Sequence, residues 1–331
     1  MRKYIFFRTD RIGDFLMSSI LFKSIKKSDP NSKIILIASK KNYDYINNID
    51  FVDEVILFPK NFYKKIFFYS NFFFKKFFLI GVLDGKKRSI YFSLFVRSKY
   101  KFLFTYKNFY YSIMSLFYTK VYLDKNCLNK ISEIKDLLNI INLNFDKDNL
   151  NTINKEIVSR RNLTLVNSNN YILLHFDEKW IFKDYIQTYN SIEPLNEQNL
   201  FIFLKKILEK SNSDLVITTG FKKNKFINFL KNKFNVISEN IFVHNVNNKK
   251  IYLYDNLSFL ELEKLILFCD TLITCHGAPS HVAAAFNKKI IDIIDFSEND
   301  FFLKWTAHFR NHKLINRENF EQTSYKILNL L

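Results

Sequence analysis

The stretch DTLITCHGAPSHVAAAFNKKIIDII, residues 270–294, has the pattern of a complete strand–helix–strand unit. A short apolar run (271–275) is followed by the turn HGAP, the helix-forming run SHVAAAF and a second apolar run (289–294). Apolar runs of this length are typical of buried strands, and a helix between two of them is the crossover that parallel pairing requires. The stretch therefore predicts an α/β fold built on parallel sheets.

The same alternation continues along the rest of the chain. Strands are predicted at 3–7, 33–39, 52–58, 77–85, 99–105, 171–176, 214–220, 250–255, 271–275 and 289–294. Helices are predicted at 14–27, 129–142, 197–210, 222–232, 259–268 and 280–287. The pattern weakens into a polar stretch at 144–170. We therefore predict two doubly wound, parallel-sheet α/β domains, over residues 1–155 and 165–331.

The composition leaves several classes of binding partner open. The 331 residues carry 50 Lys and Arg against 32 Asp and Glu, a net charge of +18. Such a surface attracts polyanions, so nucleic acid, anionic lipid and phosphorylated substrates are all candidates. The three cysteines, Cys127, Cys269 and Cys275, are too scattered for a disulfide framework or a zinc site.

Membrane insertion and secretion are not indicated by the sequence. Asp10 and Asp14 interrupt any apolar leader near the start of the chain. The most apolar long stretch, 66–83, has Lys75 and Lys76 at its middle, where they would cost several kcal/mol in a bilayer. We expect a cytoplasmic protein.

The turn before the helix of the opening stretch has the features of an anion site. Ser280 is a predicted N-cap, and the N–H groups and dipole of a helix start bind phosphate well. His276 and His281 flank this point. An ordinary strand–turn–helix with two incidental histidines is the alternative.

Two other strand ends carry polar residues that would share this edge of a parallel sheet. The run ITTG ends a strand with Thr218, Thr219 and Gly220, residue types that contact nucleotides or simply close a turn. Lys179 and Trp180 follow another strand, where a lysine could neutralise a diphosphate or remain a surface residue.

The N-terminal strand runs directly into RTDRIGDFLMSS, residues 8–19. This turn packs two arginines, two aspartates and a glycine into the seven residues from Arg8 to Asp14. Asp14 opens a helix, where negative charge is favourable, so a purely structural role is one interpretation of it.

Taken in order, RTDRIGDFLMSS, VDEVI, LLHFDEKW, ITTG and HGAPSHVAAAFNKKIIDI resemble glycosyltransferase family 9. That family includes the ADP-heptose:lipopolysaccharide heptosyltransferases. The resemblance implies a GT-B fold, with two Rossmann-like domains facing across a cleft. It places the acceptor on the N-terminal domain and the nucleotide-sugar on the C-terminal domain, and it leaves open whether the last helix packs back on the first domain.

The resemblance also assigns roles to individual residues. Asp14 corresponds to the family's catalytic base, and Arg8, Arg11 and Gly13 lie in the acceptor-binding turn. The residues that correspond to the donor site are Lys179, Trp180, Thr218, Thr219, Gly220, His276, Gly277, Ala278, Pro279, Ser280 and His281. No metal or cofactor is expected, because a helix start and basic side chains can stabilise a departing diphosphate.

The chain departs from the family pattern at three places. His276 stands where the family has an acidic residue, and unlike an aspartate it can donate a hydrogen bond to phosphate. Lys179 and Trp180 are adjacent, whereas the family reads K-R-W. The acidic residue that often follows the ITTG-like strand is absent from FKKNKF (221–226). The donor nucleotide therefore stays open, with ADP one candidate.

The function predicted from the sequence is an inverting glycosyltransferase. It would move a sugar, heptose being one candidate, from a nucleotide-sugar to lipopolysaccharide core or another surface glycan. A lipid-linked or phosphorylated saccharide is the expected acceptor, met at the inner face of the cytoplasmic membrane. The alternatives are a sugar-nucleotide epimerase of the same fold and a non-catalytic protein that binds sugar nucleotides or polyanions. Nucleic acid is not an expected partner, because the basic residues form no recognisable binding module.

Two further groups of residues have competing interpretations. The run FYKKIFFYSNFFFKKFF (62–78) could form, with nearby basic residues, a patch that rests on anionic lipid, or a core helix with a solvated lysine face. The nearby basic residues are Lys64, Lys65, Lys75, Lys76, Lys86, Lys87 and Arg88. Asp146 and Asp148 in a D-x-D pattern are interpreted as a chance spacing. His308 and His312, which have no third metal ligand nearby in the sequence, are interpreted as surface residues.

Overall fold

The computed structural model describes residues 1–127, 129–146, 153–161, 163, 170–181, 195–220 and 225–331. The chain divides into two compact units. The first unit comprises Met1–Thr152 and Leu303–His308, and the second comprises Ile153–Phe302 and Phe309–Leu331. Much of the polar stretch predicted as the domain boundary lies outside the described residues, as does Asp148 of the D-x-D pattern.

The described part of the first unit contains a six-stranded sheet in which every pairing is parallel. Its strands are β1 (Lys3–Phe7), β2 (Lys33–Ala38), β3 (Glu54–Leu57), β4 (Lys76–Val82), β5 (Arg97–Thr105) and β6 (Lys120–Leu123). Their order across the sheet is β3–β2–β1–β4–β5–β6. The order reverses at β1, the central strand, which is the doubly wound arrangement predicted from the sequence.

Helices cover both faces of this sheet. They are α1 (Ile12–Ser28), α2 (Tyr43–Ile46), α3 (Phe62–Phe73), α4 (Lys87–Phe95), α5 (Asn108–Met114) and α6 (Lys130–Ile140). Alternate strand residues such as Ile5 and Phe7 pack with α3, α4 and α5 in one core cluster. On the other face, the ring of Phe6 lies 4.8 Å from that of Phe22 on α1. Side-chain alternation along the strand produces this two-sided burial.

The second sheet, over the described residues, has eight strands. They are β7 (Tyr171–Phe176), β8 (Asp214–Thr219), β9 (Asn235–Ser238), β10 (Ile241–Val246), β11 (Lys249–Tyr254), β12 (Thr271–Cys275), β13 (Lys289–Ile294) and β14 (His312–Asn316). Their order is β14–β13–β12–β7–β8–β11–β10–β9. The associated helices are α7 (Lys155–Ser159), α8 (Glu197–Lys210), α9 (Lys225–Lys233), α10 (Phe259–Phe268), α11 (Ala278–Ala285) and α13 (Phe320–Leu330). Helix α12 (Asn299–Thr306) is divided between the units, because Leu303–His308 belongs to the first.

The second sheet is mixed: the pairings from β14 to β11 are parallel, as predicted, and antiparallel strands extend one edge. Strand β10 pairs antiparallel with β11, and β9 pairs antiparallel with β10. All four residues of β9 are exposed, so this edge strand lacks the apolar alternation from which a strand is predicted. The last helix, α13, packs against α8 and β14 within the second unit.

The apolar stretch 66–83 is divided between two elements. It begins in α3, turns at Phe74 and Lys75, and continues as β4. Among the described residues, no helix combines the length and apolar character needed to cross a bilayer. The three cysteines are buried and none is in a disulfide.

Candidate functional site

In the first unit, Arg8 follows β1 and lies almost entirely below the surface. It is 6% exposed, and its Nη1 and Nη2 donate to Asp10 Oδ2 and Ser18 Oγ, each at 2.6 Å. Desolvation disfavours the charged form of Arg8, but the neighbouring carboxylates, Asp10 first, more than offset it and raise its pKa. Arg8 therefore ties the turn after β1 to helix α1.

Helix α1 begins at Ile12, two residues earlier than predicted, so Gly13 and Asp14 lie inside its first turn. The Asp14 Oδ2 atom accepts a hydrogen bond from the Arg11 N–H at 3.2 Å, which caps the helix. The Asp14 residue is half-buried, and Arg11 is exposed. Asp14 thus combines a capping role with partial access to solvent.

A polar network beside this turn was not anticipated from the sequence. Asp84, at the end of the β4 segment, accepts from Thr9 Oγ1 at 2.5 Å and from Ser89 Oγ at 2.9 Å. Burial raises the pKa of Asp84 above its ordinary value, although these hydrogen bonds oppose the shift. Lys86 Nζ donates to the Thr9 carbonyl at 2.7 Å and Arg88 Nη2 to Thr9 Oγ1 at 2.9 Å, so both reach inward to this turn. The Asp84-Gly85 pair that ends a strand was the available signal.

In the second unit, α11 begins at Ala278 with Gly277 as its N-cap. Ser280 is therefore not the N-cap predicted from the sequence but the third residue of the helix. Its Oγ accepts from the Gly277 N–H at 3.3 Å and donates to Asp292 Oδ1 at 3.0 Å. His276, Gly277 and Ala278 are half-buried, so this turn presents its backbone at the carboxyl end of β12.

Lys179 reaches the same turn from a short 3₁₀ segment that follows β7. Its Nζ donates to the His276 carbonyl at 2.6 Å and lies 3.6 Å from Asp177 Oδ2. A Cβ added at Gly277 would lie 2.9 Å from this ammonium, so glycine is what permits the close approach. The lysine charge is thereby held beside the start of α11.

The neighbouring Trp180 is a core residue. Its side chain is fully buried, its ring lies 5.3 Å from that of Phe176, and its Nε1 donates to the His175 carbonyl at 3.0 Å. Although the sequence grouped Trp180 with the donor residues, it supports the Lys179 segment from the interior and presents no ring surface to a ligand.

The hydroxyls of the ITTG run are occupied by protein partners. Thr218 Oγ1 lies 3.0 Å from His175 Nδ1, and burial lowers the pKa of His175 to about 3, so this histidine is neutral at pH 7. Thr219 Oγ1 donates to Asp255 Oδ1 at 3.0 Å. Gly220 is half-buried, and a Cβ there would lie 3.0 Å from Asp177 Cβ and 3.3 Å from Asp177 Cα. Gly220 thus lets the ends of β7 and β8 approach closely.

Asp292 is the central polar residue of this region and was missed by the sequence argument. It lies in β13, is fully buried, and its Oδ2 is 2.6 Å from His276 Nδ1 and 3.1 Å from His312 Nε2. The His312 side chain is therefore not the surface group predicted from the sequence. Burial alone would raise the pKa of Asp292, but the two histidines hold it well below the ordinary carboxyl value. With Nδ1 of His276 held by Asp292, the Nε2 edge of that ring is the one directed away from the carboxylate. A lone aspartate inside the apolar run KIIDII was the available signal.

His281 and Pro279 lie on the buried side of the turn. His281 is 9% exposed, with ring centroids 5.7 Å from His276 and 5.2 Å from Phe309. His276 itself lies 5.0 Å from the ring of Phe302. These aromatic contacts, together with Asp292, fix the turn that precedes α11.

Two strand ends therefore meet at the start of α11: the Lys179 segment after β7 and the His276–Ala278 turn after β12. Gly220, after β8, lies against Asp177 and Glu178 of the segment that follows β7. A helix start with an adjacent lysine is suited to binding a phosphate group. Within the described residues, no cluster of three or more His, Cys, Asp or Glu side chains has the arrangement of a metal site.

The two units together define the GT-B fold. A single chain carries two α/β units, one built on a parallel sheet and one on a mixed sheet. Comparison with solved structures bears this out. The chain is similar to Escherichia coli heptosyltransferase WaaC with ADP, at a TM-score of 0.61 and 11% identity, covering 95% of this chain and 90% of that one. It is also similar to the glycosyl transferase family 9 protein of Veillonella parvula, at a TM-score of 0.60 and 14% identity, covering 99% and 88%.

A UDP-GlcNAc 2-epimerase from Methanocaldococcus jannaschii is comparably similar, at a TM-score of 0.59 and 12% identity, covering 99% of this chain and 92% of that one. No protein-family profile matches the sequence, and no curated protein matches it significantly by sequence. At these identities the likeness is one of fold. The fold that the family 9 resemblance implied is confirmed, and it is shared by transferases and epimerases.

Proposed function

We propose that the protein is an inverting glycosyltransferase that moves a sugar from a nucleotide-sugar to a lipid-linked saccharide, such as lipopolysaccharide core, at the inner membrane face. The observation that carries the proposal is the meeting of the β7 and β12 ends at the start of α11, with the Lys179 ammonium held beside it. The fold shared with heptosyltransferases supports the same class of reaction.

In this proposal the diphosphate of the donor binds at the turn before α11. The helix dipole and Lys179 offset the negative charge that develops on the departing nucleoside diphosphate. The Nε2 edge of His276, oriented by Asp292, supplies a further polar contact that the family's acidic residue would not make in the same way. ADP is the first nucleotide to test, since it is named with the similar E. coli enzyme, and heptose is the first sugar.

The acceptor side of the reaction is assigned to the first unit, with Asp14 as general base. An acceptor hydroxyl would give its proton to the Asp14 carboxylate as its oxygen attacks the anomeric carbon. The bond from that carbon to the diphosphate breaks, and the nucleoside diphosphate leaves with the electron pair. Arg11, exposed at the helix start, would hold an anionic group of the acceptor. Arg8, which is buried and bonded to Asp10 and Ser18, would position the turn.

The first experiment is a thermal-shift screen of the full chain against ADP-, UDP-, GDP- and CMP-sugars. The proposal expects stabilisation by one nucleotide class and release of that nucleoside diphosphate when a lipid-linked saccharide is added. Lys179→Gln should weaken donor binding about 10-fold or more, as expected for loss of a charge-assisted contact. Stabilisation by none of these donors would refute it.

The second experiment tests the base. Asp14→Asn should reduce turnover by roughly 10²–10⁴-fold, the range typical of general base catalysis, while the donor dissociation constant stays unchanged. The matched control is Asp44→Asn, an exposed carboxylate of the same unit. Undiminished turnover in Asp14→Asn would remove this residue from the mechanism.

A sugar-nucleotide epimerase is the second candidate, because a UDP-GlcNAc 2-epimerase is nearly as similar in fold. An epimerase would convert the nucleotide-sugar with no acceptor present, and the sugar would remain attached to the nucleotide. Monitoring the donor by NMR without acceptor separates the two reactions. A protein that binds the donor but shows neither reaction would be a non-catalytic binder.

A further inference from the structure

Three helices of the first unit form one continuous layer. Helices α3, α4 and α5 contribute inward side chains to a single core cluster on one face of the sheet. Within it, Phe68 of α3 lies 5.2 Å, ring to ring, from Phe92 of α4. Since one side of each helix packs on the sheet, the opposite sides and the segments that end the helices form the outer surface of this layer.

That outer surface is unusually apolar. Large hydrophobic side chains protrude from every helix of the layer or from the segment that follows it. The most exposed are Tyr63 (79%), Phe67 (69%), Phe74 (83%), Phe95 (70%), Phe109 (66%) and Leu116 (82%). Single exposed apolar residues are common on protein surfaces, but a large patch of them indicates an interaction surface. We call this surface the aromatic-basic face, for the reason that follows.

The charge on this layer has one sign. Residues 60–120 contain 13 Lys and Arg and one acidic residue, Asp84, which is buried. Lys64, Lys75 and Lys87 are exposed among the aromatic side chains. Not every basic residue contributes, since Lys86 turns inward to the Thr9 carbonyl. A surface of exposed aromatics and lysines without carboxylates is complementary to anionic lipid headgroups above an apolar layer.

A second copy of the chain and a nucleic acid fit this surface less well. A two-fold interface formed by this face with itself would bring like charges together without acidic partners, which is destabilising. Nucleic acid would satisfy the lysines, and aromatic rings can stack on bases. However, Ile66 and Leu116, 51% and 82% exposed, have no aromatic ring with which to stack.

We propose that the aromatic-basic face docks the first unit on an anionic membrane surface, with its aromatic side chains inserted among the headgroups and its lysines paired with lipid charges. Membrane binding does not require the transferase reaction, so a binding assay tests it separately from the proposed function. It would place the first unit, to which the acceptor is assigned, at the surface that holds a lipid-linked saccharide.

The test is flotation of the full chain with vesicles of phosphatidylcholine alone and of phosphatidylcholine mixed with phosphatidylglycerol. Wild-type protein should float with the mixed vesicles, and added salt should weaken that binding. Lys64→Glu, Lys75→Glu and Lys87→Glu together should lower the partition coefficient more than 10-fold, since one basic residue contributes about fivefold near such a surface. The matched control is Lys206→Glu, Lys210→Glu and Lys313→Glu together, three exposed lysines of the second unit.

The apolar contribution is tested separately with Phe67→Ser, Phe74→Ser and Phe109→Ser combined. These side chains are exposed, so circular dichroism should show an unchanged fold while flotation falls. Val236→Ser with Tyr325→Ser, exposed at 69% and 67% in the second unit, should float like wild type. Flotation with neither vesicle, or an equal loss in the control variants, would overturn the proposal. So would a concentration-dependent dimer, or a salt-sensitive complex with duplex DNA, that the serine variants abolish.

Discussion

The most informative perturbation is Asp292→Asn, which removes a buried charge while keeping the shape of the side chain. Asp292 has no exposed surface, and its oxygens meet His276, His312 and Ser280 at 2.6, 3.1 and 3.0 Å. An asparagine can turn its carbonyl oxygen to both imidazoles, while its amide would donate to Ser280 Oγ and so reverse that hydrogen bond. The substitution therefore keeps both imidazole contacts and removes the charge from them.

The size of the effect follows from those contacts. A hydrogen bond to a charged group contributes roughly 1.5–3 kcal/mol and a neutral one roughly 0.5–1.5 kcal/mol. Replacing the two imidazole–carboxylate bonds by neutral ones should therefore lower the free energy of unfolding of the second unit by about 2 kcal/mol. With a urea dependence of about 1–3 kcal/mol per molar, the midpoint should fall by about 1 M.

The effect should depend on pH in a defined direction. The folded-state pKa of Asp292 lies below the ordinary carboxyl value of about 3.9, so its ionised form stabilises the protein above that pH. This stabilisation is lost as the pH falls toward the folded-state pKa. The difference between wild type and Asp292→Asn should accordingly be full at pH 7 and shrink below about pH 4.

The chain supplies its own probe for this measurement. It has two tryptophans, of which Trp180 lies in the core of the second unit and Trp305 belongs to the first. In a Trp305→Phe background, fluorescence therefore reports the urea unfolding of the second unit. Asp270→Asn, an exposed carboxylate of the same unit, is the control. An unchanged midpoint at pH 7, or a deficit that persists undiminished at low pH, would refute the reasoning.

Three further substitutions test other parts of the structure. Gly81→Ala should lower the free energy of unfolding of the first unit by about 1–3 kcal/mol, because the new Cβ would lie 2.4 Å from Phe6 Cδ1. Trp305 fluorescence in a Trp180→Phe background measures the change in the urea midpoint. Gly277→Ala should weaken nucleotide-sugar binding about 10-fold in a calorimetric titration, because the new Cβ displaces the Lys179 ammonium. A thermal scan should show a nearly unchanged unfolding midpoint. Lys130→Met should lower the free energy of unfolding by about 3–5 kcal/mol at pH 7, measured by urea denaturation, because the buried Asp124 and Glu133 carboxylates lose the ammonium that lies 2.7 and 2.9 Å from them.

Much of the architecture could be predicted from local pattern. The β12–α11–β13 unit is confirmed, with bounds within two residues of those predicted for 270–294. The edge strand β9 was missed because it is exposed and carries no apolar period. Helix α11 begins two residues before Ser280, because Gly277 and not the serine occupies the capping position.

The candidate site was predictable only in part. Lys179, Gly220 and Gly277 follow strands, so a parallel sheet brings them to one edge, and the structure does so. Trp180 also lies in the segment that follows a strand, yet its ring is buried in the core. Whether a residue after a strand faces solvent or the interior depends on neighbours that sequence spacing does not reveal.

The sequence by itself determined where strands and helices alternate, because burial on both faces of a parallel sheet demands continuous apolar runs. Only the tertiary structure decided which partners the lone charges meet. Asp292 lies 16 residues from His276 and 20 from His312, and parallel pairing of β13 with β12 and β14 brings all three together. The tertiary structure also decided that Phe68 is buried and Phe67 exposed, because a helix packs only one side on its sheet.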